Sequence, residues 1–341
     1  MRVAIHQREG SFSRGWVHRL RELGVDFDYV SAYDNDVISK LQNFDGFLWH
    51  WHQGDYRDHL IAKPLLDALG RAGKKVYPRT ETSLYFDDKL AQKYLLEAIG
   101  APLVPSYVFV DFDKAIEWAR NTDYPKVFKL RGGAGSLNVK VVKNLHESSA
   151  LIKRCFSRGF PLLDRVESLK DAIWRWRRDR SLDALWLVAK RTPRLWIRSK
   201  RERLLPRQLG YAYFQDFVPN AAYDDRAVVI GNRCFCIRRH CRPGDFRASG
   251  SGLVQFDKEI FPAEMIRSAF SVADAIQSQS LALDYVYRDG VPLLIETSYG
   301  FTADVYYSCQ GFWTRDLEWH DLPVNPEAFI VDDFISHLET K

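Results

Sequence analysis

The 341-residue chain lacks the features that mark secreted and membrane proteins. It has only 5 cysteines, an odd number, and no apolar run approaches the ~20 residues of a membrane span. The apolar run in MRVAIHQREGSF at its start is too short for the core of a signal peptide. It also has no internal repeat and no low-complexity segment. We therefore expect a cytoplasmic protein with free thiols, divided into two or three domains.

The net charge of +5 hides one strongly basic segment. Residues 170–207 contain 13 Lys and Arg against 4 Asp and Glu, whereas the rest of the chain has 36 basic and 40 acidic residues. Trp174, Trp176, Trp186 and Trp196 lie among these arginines. Such a segment either binds RNA or an acidic polymer, or forms an amphipathic insertion whose charges stay solvated. Both alternatives remain open at the level of sequence.

Strand-like and helix-like runs alternate over the first eighty residues. VAIHQ, DFDYV, DGFLWHW and KKVYP have the apolar character of strands, and the runs between them have helical spacing. Repeated βα units predict a parallel sheet whose ligands gather beyond the carboxyl ends of the strands. Arg8 follows the first strand, and His50 and His52 follow the third. These three residues are candidate substrate contacts.

The remainder predicts α+β structure with antiparallel strands. TSLYFDDKLAQKYLLEAIG, residues 82–100, has the spacing of one capped helix, and LALDYVYRDGVPLLIETS predicts two strands joined by an Asp-Gly turn. The expected fold class is therefore α/β plus α+β. The predicted domains are a βα domain over 1–82, a subdomain over 83–212 that carries the basic insertion 165–207, and a second subdomain over 213–341.

A glycine-rich hairpin follows a buried-looking lysine. In YPKVFKLRGGAGSLNVKVV, Lys129 precedes Gly132, Gly133 and Gly135, and an alternating strand resumes after them. The phosphate loop GxxxxGK[ST] leads into a helix and places its lysine last, so that interpretation fails. The run is either an ordinary hairpin turn or a flexible loop whose N–H groups close over an anion.

Two carboxylates interrupt apolar strands at matching positions. Asp284 in LALDYVY and Glu296 in LLIETS are joined through the tight turn, so they can lie side by side across the ladder. Two carboxylates that face one another repel unless a cation lies between them, and Mg²⁺ prefers such oxygen ligands. The pattern predicts a metal site, with solvent-exposed charges as the alternative.

The order of these features resembles the ATP-grasp superfamily, and within it the RimK-type and glutathione-synthetase-like ligases. The resemblance covers roughly residues 75–305. It depends on an early lysine in FDDKLAQKYL, a second lysine before the glycine hairpin, and the acidic pair. It also includes Gln215-Asp216-Phe217, Asp224 with Arg226, Arg238-Arg239 and Gly244-Asp245-Phe246-Arg247.

The resemblance implies an ATP-grasp fold of two α+β subdomains that hold ATP and Mg²⁺. Lys89 and Lys129 would meet the α- and β-phosphates, and Gly132, Gly133, Gly135 and Ser136 would cover the β- and γ-phosphates. Gln215, Asp216, Phe217 and Val218 would line the adenine, and Asp224 the ribose. The implied metal ligands are Asp284, Glu296 and Ser298, the catalytic residues Arg239 and Arg247, and further substrate contacts Arg226 and Arg238. Ser298 departs from the asparagine usual in the family and is a weaker ligand.

The activity implied by the resemblance is ATP-dependent amide formation through an acyl phosphate. The partners would be a small-molecule carboxylate and an amine, anionic or sugar-linked, with no membrane or nucleic acid. A homodimer is one alternative for the oligomeric state. Two other functions remain open. One is a small-molecule kinase of the same fold, and the other is a non-catalytic module that binds an acidic polymer through the basic insertion.

Overall fold

The structure is a computed structural model. It describes residues 1–133, 138–162, 165–197, 200–219, 221–242, 248 and 250–339, apart from the side chains of Glu167, Lys200 and Arg201. The strands are β1 Arg2–Ile5, β2 Asp26–Tyr29, β3 Gly46–Leu48, β4 Lys75–Tyr77, β5 Ser106–Phe109, β6 Lys126–Lys129, β7 Lys140–Val142, β8 Ala212–Asp216, β9 Tyr223–Ile230, β10 Arg233–His240, β11 Val254–Gln255, β12 Ser280–Arg288, β13 Val291–Ser298, β14 Phe312–Trp313 and β15 Trp319–His320.

Helices connect or cover these strands. They are α1 Ser13–Glu22, α2 Val37–Leu41, α3 Tyr56–Arg71, α4 Thr80–Ser83, α5 Lys89–Ala98, α6 Phe112–Asn121, α7 Leu145–Phe156, α8 Arg165–Asp179, α9 Leu182–Arg191, α10 Lys200–Leu204, α11 Ala263–Ile276 and α12 Pro326–Glu339, with 3-10 helices at Pro193–Leu195, Lys258–Ile260 and Ala303–Ser308. Within the described ranges, none of these helices is long and apolar enough to cross a bilayer.

The strands form three sheets. The first is parallel, in the order β2-β1-β3-β4, as the alternating βα pattern predicted. The second is antiparallel, in the order β13-β12-β9-β10-β14-β15, with β11 beside β10. The third, also antiparallel, has the order β5-β8-β6-β7. The predicted fold class, α/β plus α+β, is therefore confirmed.

The chain divides into two compact units. The first unit consists of residues 1–86, 91–103 and 220–341, and the second of 87–90 and 104–219. The first unit joins the parallel sheet and the larger antiparallel sheet in one hydrophobic core, to which α12 contributes Phe334. At Gly46 a Cβ atom would lie 2.6 Å from the Phe334 ring, so glycine permits this close packing. The division at residues 82 and 212 stays a prediction.

The expected single helix over 82–100 is wrong. The structure has α4 and α5, separated by residues 84–88. Asp87 in this break has φ of 54°, a left-handed conformation that cannot continue a helix. Its carboxylate accepts a hydrogen bond from Gly133 N at 2.7 Å. Helical spacing could not reveal this break because the bond joins residues 46 positions apart.

The larger antiparallel sheet has two differently packed faces. Residues such as Val228, Phe235 and Ile237 pack in the core shared with the parallel sheet, on what we call the core face. The intervening residues, including Ala227 and Cys236, pack with α11, on what we call the α11 face. Because side chains alternate along a strand, neighbouring residues fall on opposite faces. Charged side chains on the same face can therefore contact one another, whereas those of adjacent residues in a strand cannot.

Candidate functional site

In the second unit, Lys129 and Gln215 lie on the same face of the third sheet. Lys129 Nζ donates to Gln215 Oε1 at 2.5 Å, and Gln215 Nε2 donates to Ser106 Oγ at 3.0 Å. Both side chains are buried. The neighbouring Phe128 and Phe214 point to the opposite face and pack in the hydrophobic core of the second unit. The structure therefore places together two residues that the sequence assigned to phosphate and to adenine.

The beginning of the glycine loop is anchored to the start of α5. Lys89 is the first residue of α5, and its Nζ donates to Gly133 O at 2.9 Å. The backbone N of Lys89 donates to Arg131 O at 2.9 Å. A Cβ atom on Gly132 would lie 2.9 Å from Asp87 Oδ2, and Gly133 has φ of 110°, so both positions need glycine. A lysine beside a helix N-terminus is well suited to bind phosphate. Gly135 and Ser136 lie outside the described residues.

Asp216 does not share the face of Lys129 and Gln215. Its carboxylate pairs with Lys126 Nζ at 2.7 Å on the other side of β8, because adjacent strand residues alternate. The Asp216 side chain is therefore turned away from Gln215, and a role at the adenine would be restricted to its backbone. Val218 is buried and Phe217 half-buried just after the strand.

In the first unit, four charged residues form one network on the core face, which we call the charged cluster: Asp224, Arg226, Arg239 and Asp284. Arg226 donates through Nε and Nη2 to the two oxygens of Asp284 at 2.5 and 2.7 Å. Arg239 Nε donates to Asp224 Oδ1 at 2.6 Å, and Arg239 Nη2 forms an ion pair with Asp284 Oδ2 at 3.0 Å. Two positive and two negative charges thus balance in a nearly buried site.

The two aspartates of the charged cluster differ in acidity. Burial alone would raise the pKa of Asp284, but Arg226 and Arg239 outweigh it and hold that pKa well below its usual range. Burial dominates at Asp224 and raises its pKa, although Arg239 opposes the shift. Environments that separate two carboxylates in this way are typical of active sites. Asp284 is therefore the more acidic carboxylate of the two.

Glu296 lies directly opposite Asp284 in the β12–β13 ladder, as the sequence predicted. The register shifts immediately afterwards, between Asp284 and Tyr285, which indicates a bulge next to the pair. Ser298, two residues further along β13, shares this face, and its Oγ donates to Gly300 O at 2.6 Å. Glu296 and Ser298 are half-buried.

The oxygens of Asp284, Glu296 and Ser298 fit a magnesium ion, with the restriction that arginines already occupy part of the Asp284 carboxylate. A carboxylate offers about four lone pairs. Arg226 donates one hydrogen bond to each oxygen of Asp284, and Arg239 Nη2 lies 3.0 Å from Oδ2. Asp284 can thus serve as a monodentate ligand beside Glu296 and the Ser298 hydroxyl. Mg²⁺ commonly uses one or two carboxylates and completes its shell with phosphates and water. Where the structure describes the chain, no group of three His, Cys, Asp or Glu side chains could hold a metal unaided.

Arg238, a predicted substrate contact, is not part of the charged cluster. It lies on the α11 face, where Nε and Nη2 donate to Asp225 at 2.7 and 2.8 Å. Its guanidinium stacks over Tyr223 at 3.7 Å, and Tyr287 OH donates to Asp225 at 2.6 Å. These contacts make Arg238 a structural residue. Arg247 lies outside the described residues.

The candidate substrate contacts in the parallel-sheet half follow the strands as predicted. His50 is buried, stacks on Phe12 at 3.7 Å and accepts a hydrogen bond from Phe12 N at 3.1 Å. Burial, followed by the nearby Arg8 and His52, lowers the pKa of His50 well below its usual value, so the ring is neutral. His52 Nδ1 accepts from Gly54 N at 2.8 Å. Two nitrogens of Arg8, Nε and Nη2, are buried with no hydrogen-bond partner among the residues described.

Sequence reasoning missed Asp58, which supports this edge of the parallel sheet. It is fully buried, and its carboxylate accepts from Tyr33 OH and from His52 N, both at 2.6 Å. Its position in the first turn of α3, shortly after β3 and His50, was the available signal. Nothing in the sequence indicated that its partner would be Tyr33.

The fold is shared with solved structures at low sequence identity. No protein-family model matches the sequence, and neither does any curated protein. A RimK domain ATP-grasp protein from Sphaerobacter thermophilus aligns with a TM-score of 0.55 and 15% identity over 98% of this chain and 100% of that one. D-cycloserine synthetase aligns with a TM-score of 0.60 and 11% identity over 99% and 100%. D-alanine–D-alanine ligase from Bacillus anthracis, in complex with ATP, aligns with a TM-score of 0.55 and 12% identity over 100% and 98%. The chain therefore has the ATP-grasp fold, which the ordered motifs predicted.

Proposed function

We propose that this protein is an ATP-dependent carboxylate–amine ligase that works through an acyl phosphate. The observation that carries the proposal is the arrangement on the core face, where Asp284 lies opposite Glu296 and is held ionised by Arg226 and Arg239. The ligases among the structural neighbours support the general type of reaction. Phosphoryl transfer needs positioned cations more than a protein nucleophile, and these residues supply that chemistry.

Nucleotide binding is assigned to the second unit. Lys129 and Lys89 would bind the α- and β-phosphates, and the backbone at Gly132 and Gly133 would approach the phosphate chain. Gln215 fixes the Lys129 ammonium through their hydrogen bond, so the charge is already positioned before ATP binds. The backbone after Asp216 would contact the adenine. The predicted ribose contact, Asp224, belongs to the first unit, where Arg239 Nε donates to it, and its role stays a prediction.

Transfer and ligation then follow in two balanced steps. A substrate carboxylate oxygen attacks the γ-phosphorus, the bond to the β,γ-bridging oxygen breaks, and ADP leaves. The amine nitrogen attacks the acyl carbon, the bond to the phosphate oxygen breaks, and the amine loses a proton as phosphate leaves. Magnesium, held by Asp284, Glu296 and Ser298, would neutralise phosphate charge. Arg239 would stabilise the transferred phosphoryl group, and Arg8, together with His52 and the neutral ring of His50, would orient the substrate.

A screen of ADP release across pairs of acids and amines tests the proposal. We expect release that requires both substrates and Mg²⁺, and that falls about a thousandfold in Glu296→Gln because a metal ligand loses its charge. Glu264→Gln, an exposed change in α11, is the matched control and should leave turnover unchanged. ADP release that needs the acceptor but no amine would instead indicate a kinase. Full activity in Glu296→Gln would contradict the assigned metal ligand.

A further inference from the structure

The basic insertion contains a helical hairpin with an uncovered apolar surface. We call residues 165–197 the basic hairpin; it comprises α8, α9 and the following 3-10 helix. It has 9 Lys and Arg against 4 Asp and Glu. Apart from Val166, its large exposed apolar side chains among the described residues lie between residues 182 and 197. They are Leu182, Leu185, Trp186, Trp196 and Ile197, with exposed fractions of 84, 44, 61, 76 and 65%.

Helix α9 is apolar on two opposite sides. The side formed by Ala184, Leu187 and Val188 is buried or half-buried, and α9 packs against α8 in the hairpin. The other side, formed by Leu182, Leu185 and Trp186, has the spacing i, i+3, i+4 and is exposed to solvent. A helix that is apolar all round is normally covered on both sides. We call Leu182, Leu185 and Trp186 the outer stripe. The packing of α9 against α8 does not bury the outer stripe.

The hairpin is closed by its own contacts, without help from the outer stripe. Ser181 caps α9 by accepting a hydrogen bond from Ala184 N at 3.2 Å. Arg191 donates to Ser168 O across the two helices, and Arg165 Nη1 donates to Leu195 O at 3.1 Å. None of these described contacts between the two helices involves a residue of the outer stripe.

Basic side chains surround the uncovered residues. Lys190 lies 4.5 Å from the centroid of the Trp186 ring, and Arg180, Lys190 and Arg194 are exposed. Protruding Leu, Ile and Trp side chains bordered by Lys and Arg are characteristic of segments that lie in the interface of a membrane. Anionic headgroups attract each nearby basic residue, while the apolar side chains insert between the lipids.

We propose that the outer stripe of the basic hairpin binds an anionic lipid surface peripherally. A second copy of the chain fits less well, because symmetric pairing would bring two positive hairpins together. RNA fits less well because two of the three residues, Leu182 and Leu185, offer no ring for stacking. This inference is independent of the ligase proposal, and it differs from the sequence-based expectation of no membrane partner.

Sedimentation of the full-length protein with lipid vesicles tests the proposal. We expect binding to vesicles that mix phosphatidylglycerol with phosphatidylcholine, and at least about tenfold weaker binding to pure phosphatidylcholine. The triple variant Leu182→Ser/Leu185→Ser/Trp186→Ser should lose about tenfold or more, because three inserted side chains are removed. Lys190→Glu/Arg194→Glu should weaken binding to the anionic vesicles alone.

The matched control is Leu60→Ser/Val110→Ser, which removes two apolar side chains that are 68 and 75% exposed elsewhere on the chain. It should bind vesicles as the unaltered protein does. Circular dichroism and thermal melting should show that every variant is folded, since the altered residues are exposed. Equal binding to both vesicle types, or unchanged binding of the triple variant, would overturn the proposal. A triple variant that loses dimerisation or RNA binding but still binds vesicles would also overturn the proposal.

Discussion

Arg238 and Arg239 are neighbours in β10, yet they belong to different parts of the molecule. Arg239 enters the charged cluster on the core face, whereas Arg238 pairs with Asp225 and stacks on Tyr223 on the α11 face. Both guanidinium groups bind a carboxylate. Of the two, Arg239 is the one that pairs with Asp284, which lies opposite Glu296. Pairing with a carboxylate therefore does not identify a catalytic arginine. The two arginines differ in the face of the sheet on which they lie, and Arg239 is the one proposed to take part in the reaction.

The surroundings of the two arginines explain the difference. Asp225 is fully buried, and its carboxylate accepts from both Arg238 and Tyr287. In the charged cluster, Arg226 and Arg239 share Asp284, and the neighbouring Glu296 and Ser298 are only half-buried. The pair of Asp225 and Arg238 therefore stabilises the local fold. We expect Asp284, which two arginines share, to exchange one of these partners for a ligand. The following predictions test this distinction.

The largest effect is expected for Asp284→Asn. Loss of the charge removes a proposed metal ligand and leaves Arg226 and Arg239 with one aspartate between them. Turnover should fall by about a thousandfold or more, and the free energy of unfolding by about 3 kcal/mol. ADP release and urea unfolding measure the two effects. Turnover within about tenfold of the unaltered protein would remove Asp284 from the proposed site.

Asp225→Asn should affect stability without affecting the chemistry. Removing one partner of a buried ion pair costs about 3–5 kcal/mol, because Arg238 would remain charged and uncompensated. Turnover per folded molecule should be unchanged. The double variant Asp225→Asn/Arg238→Met should recover much of the lost stability in urea unfolding. A loss of turnover in folded Asp225→Asn would show that the α11 face also takes part in the reaction.

Exchange of each arginine for lysine compares the two neighbours directly. Arg239→Lys keeps the charge but loses the planar donor group that serves Asp224 and Asp284, so turnover should fall about a hundredfold. Arg238→Lys should change turnover by less than about twofold, since its effect is on packing. Equal losses of turnover would mean that strand alternation does not separate the two roles. Melting temperatures of both variants control for misfolding.

A titration of stability with pH compares the Asp284 ion pairs with the buried His6. Burial, with help from Arg8 and Arg57, lowers the pKa of His6 to about 4. The unfolded chain therefore takes up this proton at a higher pH than the folded one. The stabilising contribution is complete above pH ~6.5 and is lost as the pH falls towards 4, by about 2 kcal/mol at pH 5.

The variant His6→Asn tests this assignment, because Asn Oδ1 can replace Nδ1 as the acceptor for Ala32 N. Its stability should fall less steeply than that of the unaltered protein between pH 6.5 and 5 in urea unfolding. The Asp284 pair stays ionised over this range, since its arginines hold its pKa well below the usual value. An unchanged slope in the variant would show that His6 is not the group responsible.

Local patterns predicted a large part of the fold and of the candidate site. Alternating βα runs predicted β1 to β4, and the Asp-Gly turn predicted the β12–β13 hairpin with Asp284 opposite Glu296. The same short-range rules failed at 82–100, where the Asp87–Gly133 bond breaks the expected helix. They also missed α12, whose packing partners lie at the other end of the chain.

The sequence by itself determined the strand alternation, the acidic pair, the lysines of the second unit and the positive charge of the insertion, because each depends on residues close in the chain. Only the tertiary structure decided that Arg226 and Arg239 share Asp284, that Arg238 faces α11, and that α9 has an uncovered apolar side. Those outcomes depend on which strands become neighbours and which helix face is buried. They are set by packing between residues far apart in sequence, which no local pattern encodes.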